Sequence, residues 1–311
     1  MRARWSALDV PSQRGRVAVV TGGTGGIGSA VARGLARAGA TVVLGVRDEA
    51  RGAAAAGGIR AAAPGSTVIV ARLDLASLSS IREFATRLRG EVEGPDVLVN
   101  CAGVMAVPHQ VTADGFEMQF GVNHLGHFAL TGLLIGGMLA RPGARVVTVS
   151  SINHRAGRID FDDLQGQARY RAWAAYGQSK LANLLFAFAL DRRLRATGAC
   201  VASLGAHPGY SNTGLQSHIG NPVVRRFFLA SNRVVAQPAG AGALPVLYAA
   251  TAAGMKGGAY VGPDGFFEVR GAPGPAKASA ASHDAVVARR LWEVSEQLTG
   301  VIYPSLAADR A

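Results

Sequence analysis

The stretch VAVVTGGTGGIG, residues 17–28, decides how the fold is read. Four apolar residues without a polar interruption mark a strand covered on both faces. The glycines that follow let the chain turn tightly, and the apolar periodicity of residues 27–38 is that of a helix. A glycine turn between strand and helix lets a pyrophosphate come close, where the N–H groups at the helix start can bind it. The spacing is Gly22-x-x-x-Gly26-x-Gly28, not GxGxxG. With 41 glycines in the chain, an ordinary strand-to-helix turn is the competing reading.

Working outward, short apolar runs at 41–46, 68–73, 96–99, 145–149, 200–206 and 259–261 read as further strands. Helical patterns at 49–63, 78–91, within 112–140, at 174–197 and at 284–299 alternate with them. That alternation specifies an α/β protein, a doubly wound parallel sheet of Rossmann type with about seven strands and helices on both faces. Neither an internal repeat nor a linker divides the 311 residues, so one domain over 1–311 is expected, with a short N-terminal extension, 1–15. Irregular chain is expected at 154–171, 211–237 and 262–282.

Composition narrows the class. Hydrophobic residues make up 49% and charged residues 17%, which excludes a disordered chain. Lys+Arg 32 against Asp+Glu 20 gives +12, but the basic residues, 29 of them arginines, come singly or in short groups. No basic run has interleaved aromatics, so a nucleic-acid partner is not expected. The two cysteines, Cys101 and Cys200, form no CxxC and suit a reducing, cytoplasmic setting. The opening MRARWSALDVPSQRGR has no apolar core and reads as neither signal peptide nor anchor. Residues 234–255 are uncharged over a bilayer-spanning length, yet Gln237, Pro238, Pro245 and several glycines make a buried helix after a loop the better reading, without a membrane partner.

After the second strand a dinucleotide fold places the residue that reads the adenosine ribose. An acid there accepts from a free 2′-hydroxyl; this chain has Gly45-Val46-Arg47. Arg47 can grip a 2′-phosphate, with Arg51 one helical turn on to assist, or it is a solvent-facing arginine beside Asp48. Farther along, Tyr176 and Lys180 are four apart in an apolar helix and share a face. An ammonium near a phenol lowers its pKa from ~10 toward working pH, which makes a usable general acid or base.

In order along the chain stand Thr21-Gly22-x-x-x-Gly26-Ile27-Gly28, Asp74-Leu75, Asn100-x-Ala102-Gly103, Asn123, Ser150-Ser151, Tyr176-x-x-x-Lys180 and His207-Pro208-Gly209. This succession, over roughly residues 15–215, resembles the short-chain dehydrogenase/reductase family. The runs VNHLGHF at 122–128 and SKLAN at 179–183 look like its retinol dehydrogenase and protochlorophyllide reductase branch.

The resemblance implies a catalytic set of Asn123, Ser151, Tyr176 and Lys180. Tyr176 would exchange a proton with the substrate oxygen. Lys180 would bind the nicotinamide ribose and depress the Tyr176 pKa. Ser151 would hydrogen-bond the carbonyl, and Asn123 would hold a water behind Lys180. The cofactor side would be built from Gly22, Thr24, Gly26, Ile27 and Gly28 at the turn and Arg47 at the ribose. Asp74 and Leu75 would lie at the adenine, Asn100, Ala102 and Gly103 along the sheet edge, and Pro208, Gly209 and Thr213 at the carboxamide. A substrate lid over about 211–237 and a homodimer or homotetramer are further implications.

Three departures stand out. Cys101 occupies the place of the family's second asparagine and reads as a buried small residue. The separation of 25 residues between Ser151 and Tyr176 is long, and the segment between them could reshape the substrate mouth or an oligomer face. A membrane anchor known in some relatives is not expected here. His124 and His127 read as helix packing and His207 as a turn residue, so no metal is expected. Asp162-Asp163 reads as a solvated loop.

The expectation is therefore an oxidoreductase that moves a hydride between NADP(H), with NAD(H) less favoured, and an alcohol or carbonyl small molecule, apolar in view of Leu215, Ile219, Val223, Val224, Phe227, Phe228 and Leu229. The alternative is a non-catalytic NADP(H)-binding sensor or scaffold. Such a protein is expected to have lost Tyr176, Lys180 or Ser151, and all three are present.

Overall fold

The computed structural model describes residues 5–210, 237–303 and 306. Within them eight strands form one sheet: β1 (Val17–Thr21), β2 (Thr41–Val46), β3 (Val68–Arg72), β4 (Val97–Asn100), β5 (Arg145–Val149), β6 (Ala202–Ala206), β7 (Tyr260–Pro263) and β8 (Pro273–Pro275). The spatial order is β3-β2-β1-β4-β5-β6-β7-β8. Every neighbouring pair is parallel except β7 and β8, which run antiparallel.

Alternate residues of the same strands feed two cores. Ala18, Val20, Val42, Leu44, Val97 and Val99 face helices α1 (Gly26–Arg37), α2 (Glu49–Ala62) and one at Ala239–Thr251. Val19, Val43, Leu98 and Val146 face α3 (Leu78–Glu91), α4 (Met118–Leu139), α5 (Ala172–Ala196) and a C-terminal helix at Ala285–Thr299. We number the last two α6 (Ala239–Thr251) and α7 (Ala285–Thr299). Burial on both faces is why these strands read as nearly unbroken apolar runs.

The expected count of about seven strands becomes eight because β8 is Pro-Gly-Pro, inside the stretch read as irregular. Proline lacks an N–H, so such a strand carries no apolar period and suits only a sheet edge. Its register pairs Gly262 with Gly274. The hairpin loop between β7 and β8 is closed by Asp264, whose N–H donates to Ala272 O at 2.8 Å and whose Oδ1 accepts from Ala272 N at 2.8 Å.

The N-terminal stretch is tied down: Gln13 N–H donates to Ala38 O at 2.8 Å, and Trp5 packs edge-on against Tyr248 of α6 at 5.2 Å. Helix α4 is long and apolar enough to cross a membrane by length and composition, and 67% of its apolar window is buried inside the fold. Glu117 caps its start, accepting from Gln119 N at 2.9 Å and Phe120 N at 2.7 Å. A π-helical turn at Gly121–Leu125 then re-aims its first residues. Because β1, β2, β4, β5 and β6 are parallel, their carboxyl ends converge on one edge, the place where open α/β sheets bind ligands.

Candidate functional site

At that edge β1 ends in Thr21, whose Oγ1 accepts from Cys101 N at 2.9 Å and Ala102 N at 3.0 Å. The same hydroxyl lies 2.9 Å from His127 Nε2. Gly22 (φ 72°) and Gly26 (φ 54°) take left-handed conformations that side chains resist. A Cβ on Gly28 would stand 2.3 Å from Gly22 O, so the helix packs against its own turn. Thr24 is half-buried beside the turn and Ile27 is buried under it. The first N–H groups of α1 have no intrahelical acceptor, and a cradle that a Cβ would fill suits a pyrophosphate.

Gly22 N–H donates to Gly45 O at 3.3 Å, which fastens the end of β2 beside the turn. Arg47, exposed, follows β2 directly. Asp48 turns its carboxylate to the start of α2, accepting from Arg51 N at 3.0 Å. At the end of β3, Asp74 is half-buried; its Oδ1 accepts from Ala76 N at 2.9 Å and its N–H donates to Ser80 Oγ at 3.0 Å. Leu75 is buried, with Gly126 of α4 pressed against its carbonyl. Asn100, ending β4, donates to Thr131 Oγ1 at 3.0 Å, while its buried Oδ1 has no protein partner among the described residues. Ala102 and Gly103 continue past it, and a Cβ on Gly103 would meet Asn123 Oδ1 at 2.9 Å and Lys180 Nζ at 3.5 Å. The residues present thus fit a dinucleotide: a glycine cradle, an exposed guanidinium at the second strand and an orphaned polar oxygen along the edge. Cys101, expected to be buried, is only partly so because it leads out of the sheet into this loop.

Ser151, Tyr176, Lys180 and Asn123 are brought together. Ser151 caps the short 3-10 turn Ile152–Ala156, accepting from Asn153 N at 3.3 Å, and its hydroxyl is hydrogen-bonded to the Tyr176 phenol. Lys180 Nζ donates to Val149 O at 3.3 Å and lies 5.7 Å from the Tyr176 ring centroid. Asn123 sits in the π turn; its Oδ1 accepts from Val104 N at 2.8 Å and its Nδ2 donates to Ser179 Oγ at 2.9 Å. The neighbouring Ser150 Oγ donates to Lys180 O at 2.7 Å, locking β5 to α5.

Burial pushes Tyr176 up to about 12, the bond from Ser151 pulls the other way, and Lys180 stands 5.7 Å from the ring centroid. Burial likewise brings Lys180 down to about 8. Spacing puts the two side chains on one face but does not reveal how dry that face is.

At the end of β6, Gly209 has φ 64° and its N–H donates to His207 Nδ1 at 3.2 Å; Pro208 O accepts from Gln237 Nε2 at 2.6 Å. Thr213 and the proposed lid, apart from Gln237, lie outside the described residues, as do Leu215, Ile219, Val223, Val224, Phe227, Phe228 and Leu229. His124 bonds Ser295 Oγ at 2.9 Å among aromatic rings, and burial lowers it to about 3. Asp163 organises its loop by accepting from the N–H groups of Gln167, Ala168 and Arg169.

Sequence reasoning missed the anchor of the long Ser151–Tyr176 segment. Tyr170 Oη lies 2.8 Å from Val107 O and 3.2 Å from Glu117 Oε1, and it accepts from Gln119 Nε2 at 2.8 Å. Glu117 N–H donates to Gln165 Oε1 at 2.7 Å. The segment is thereby fastened to the loop after β4. A glutamate ahead of the apolar run of α4, placed to cap it, was the available signal.

Comparison with known proteins agrees with this geometry. A family model described as short chain dehydrogenase matches residues 16–223. Retinol dehydrogenase 13 of Homo sapiens is 44% identical over 306 residues, covering 94% of this chain and 87% of that protein. A solved structure of an uncharacterized protein from Mycobacterium paratuberculosis superposes with TM-score 0.79 at 44% identity, covering 97% of this chain and all of that one. The Pseudomonas aeruginosa RhlG/NADP active-site complex superposes with TM-score 0.65 at 26% identity, over 83% of this chain and 98% of that one.

Proposed function

The chain belongs to the short-chain dehydrogenase family, and from that premise we propose that it works with NADP(H) in preference to NAD(H) on an apolar alcohol or its carbonyl. The observation that carries the cofactor preference is Arg47, exposed two residues past the Gly45 carbonyl that holds Gly22. The nearest acid, Asp48, one residue past Arg47, commits its Oδ1 to Arg51 N at the start of α2. A guanidinium there binds a 2′-phosphate in a charge-assisted fork. The Pseudomonas aeruginosa neighbour is a complex with NADP, which supports this reading. The human relative is named for retinol, an extended apolar alcohol, which supports the substrate class.

When bound, the cofactor supplies or takes up the hydride. The chain's own residues manage the oxygen. Tyr176, a phenol that burial pushes further above neutral pH, donates its proton to the carbonyl oxygen in the reductive direction. Ser151 donates a hydrogen bond to the same oxygen as charge develops on it, so orientation and electrostatics carry the rate. Lys180 places a cation behind the phenol. Asn123 ties the loop after β4 to α5, holding Gly103 against Lys180.

The test pairs calorimetric titration of NADPH and NADH with turnover on a panel of apolar and polar aldehydes and alcohols. Tighter NADPH binding and turnover that rises with apolar chain length are expected. Equal cofactor affinities overturn the first half of the reading, and turnover confined to small polar carbonyls overturns the second.

A further inference from the structure

The loop joining β7 to β8 carries two consecutive residues with side chains in the left-handed region, Phe267 (φ 49°) and Glu268 (φ 57°). Such a conformation is unfavourable for any residue with a Cβ. The contacts of Phe267 do not offset it, since that residue is 72% exposed and meets edge-on a still more exposed Phe266. Those of Glu268 do. Its carboxylate points inward, with the side chain 14% exposed, and touches three elements. Oε1 accepts from Lys277 N at 2.9 Å, and Oε2 accepts from Arg155 at 2.6 Å and lies 3.2 Å from His207 Nε2.

Hydrogen-bond chemistry fixes the protons. His207 Nδ1 accepts from Gly209 N–H, so the ring's proton sits on Nε2, which lies 3.2 Å from Glu268 Oε2 as a close contact without hydrogen-bond alignment. His154 Nε2 accepts from Ser279 N at 3.1 Å, so its proton sits on Nδ1, which donates to Ser151 O at 2.7 Å. The Tyr260 ring lies between the two imidazoles, 5.4 Å from His154 and 5.2 Å from His207. The loop also braces the turn after β6 directly: Tyr210 N–H donates to Val269 O at 2.9 Å, and a Cβ on Gly209 would stand 2.4 Å from that oxygen.

Arg155 belongs to the 3-10 turn that Ser151 caps, and His207 opens the Pro208–Gly209 turn. We propose that Glu268 is a positioning residue, whose carboxylate holds the Ser151 turn through Arg155 and the Pro208–Gly209 turn through His207 at a fixed separation across the active edge of the sheet. The proposal rests on the functional reading above for its catalytic consequence, and on geometry alone for its structural part. Ser150 N–H, donating to Ala206 O at 2.8 Å, joins the strands that the two turns leave; beyond that bond the carboxylate ties the turns themselves, and without it the oxygen held by Ser151 loses its alignment.

Two readouts test it. In cofactor-free protein, imidazole nitrogen NMR should show His207 with a proton on Nε2 and none on Nδ1, and Glu268→Ala should shift the His207 Nε2 resonance while leaving His124 unchanged. In turnover at saturating substrates, Glu268→Ala should lose at least tenfold in kcat with KM changed less than threefold. Glu268→Gln keeps a single acceptor oxygen, enough for Lys277 N or for Arg155 and His207 but not for both, and should recover only part of it. If Glu268→Ala does not fold, Glu268→Asp carries the same expectation, because it is one methylene too short to reach both partners. A merely structural role predicts a lowered melting temperature with kcat and the His207 Nε2 resonance both unchanged, and that result overturns the proposal. A wild-type chain inactive on every carbonyl and alcohol overturns the functional reading instead, and the imidazole spectrum still decides the role of Glu268.

Discussion

Lys180 lies over the ring of Tyr176, 5.7 Å from its centroid, while its ammonium donates to Val149 O at 3.3 Å. The charge is thus held dry between α5 and β5, and burial lowers the lysine from 10.5 to about 8. A folded-state pKa below the unfolded one means the buried charge opposes folding at neutral pH. That opposition is fully present below pH 8 and is relieved as pH rises from about 8 toward 10.5, where only the unfolded chain still binds the proton. Lys180→Met should therefore be more stable than wild type at pH 7, by up to about 3 kcal/mol at 1.36 kcal/mol per unit. The gap should close by pH 10, as read from urea unfolding at both pH values. A variant less stable at pH 7 would show that the Val149 contact outweighs desolvation.

Tyr176→Phe removes the proton and keeps the ring against Trp173, which it meets edge-on at 6.2 Å. Turnover should fall by roughly 10²-fold or more, the scale of general acid–base catalysis. NADPH affinity should stay within a factor of about two, since the fold around the glycine turn is untouched. Steady-state rates and a fluorescence titration of the cofactor check the pair; wild-type turnover in the variant would remove Tyr176 from the chemistry.

Arg47→Ala should weaken NADPH and leave NADH nearly unchanged. Charge-assisted hydrogen bonds are worth ~1.5–3 kcal/mol, so at ~1.4 kcal/mol per decade at least tenfold of the NADPH affinity should go. The loss should shrink with added salt, because the guanidinium is exposed. Calorimetry at two ionic strengths decides it, and an unchanged preference would make Arg47 a surface charge.

Gly28→Ala and Gly25→Ala form a matched pair. A Cβ at 28 collides with Gly22 O at 2.3 Å, whereas at 25, where φ is −177°, nothing lies within 4 Å. The first should lower both the melting temperature and cofactor affinity, the latter by tenfold or more, since the turn must shift to make room. The second should melt within about a degree of wild type, as a surface change with no contact to lose. Equal melting temperatures for the two variants would mean that the turn yields without strain.

What can be read in the residues and what cannot follows from where the information lies. Val17–Thr21 and Thr41–Val46 announce themselves because burial on two faces leaves no room for polar residues, and Leu78–Glu91 is legible to the residue because its apolar period is clean. The strand Pro273–Pro275 has no period at all; it exists only because Tyr260–Pro263 lies beside it. The spacing of Tyr176 and Lys180 places them on one helical face, but burial, which sets both their pKa values, is a property of everything packed around them. Glu268 has no motif to mark it: its three partners come from residues 155, 207 and 277 and meet only in the folded chain.

The hydroxyl of Thr21 holds the backbone of Cys101 and Ala102, 80 and 81 residues further along. Seen as a matter of time during synthesis, the opening glycine turn leaves the ribosome long before the chain that braces it. In the parallel sheet β1 must wait for β4, because non-local pairing requires a long loop to close first. The nascent N-terminal third therefore presents an unbraced turn and an unpaired apolar strand edge, exposed to aggregation or chaperone capture. The turn is braced only when residues 21 and 101 first meet.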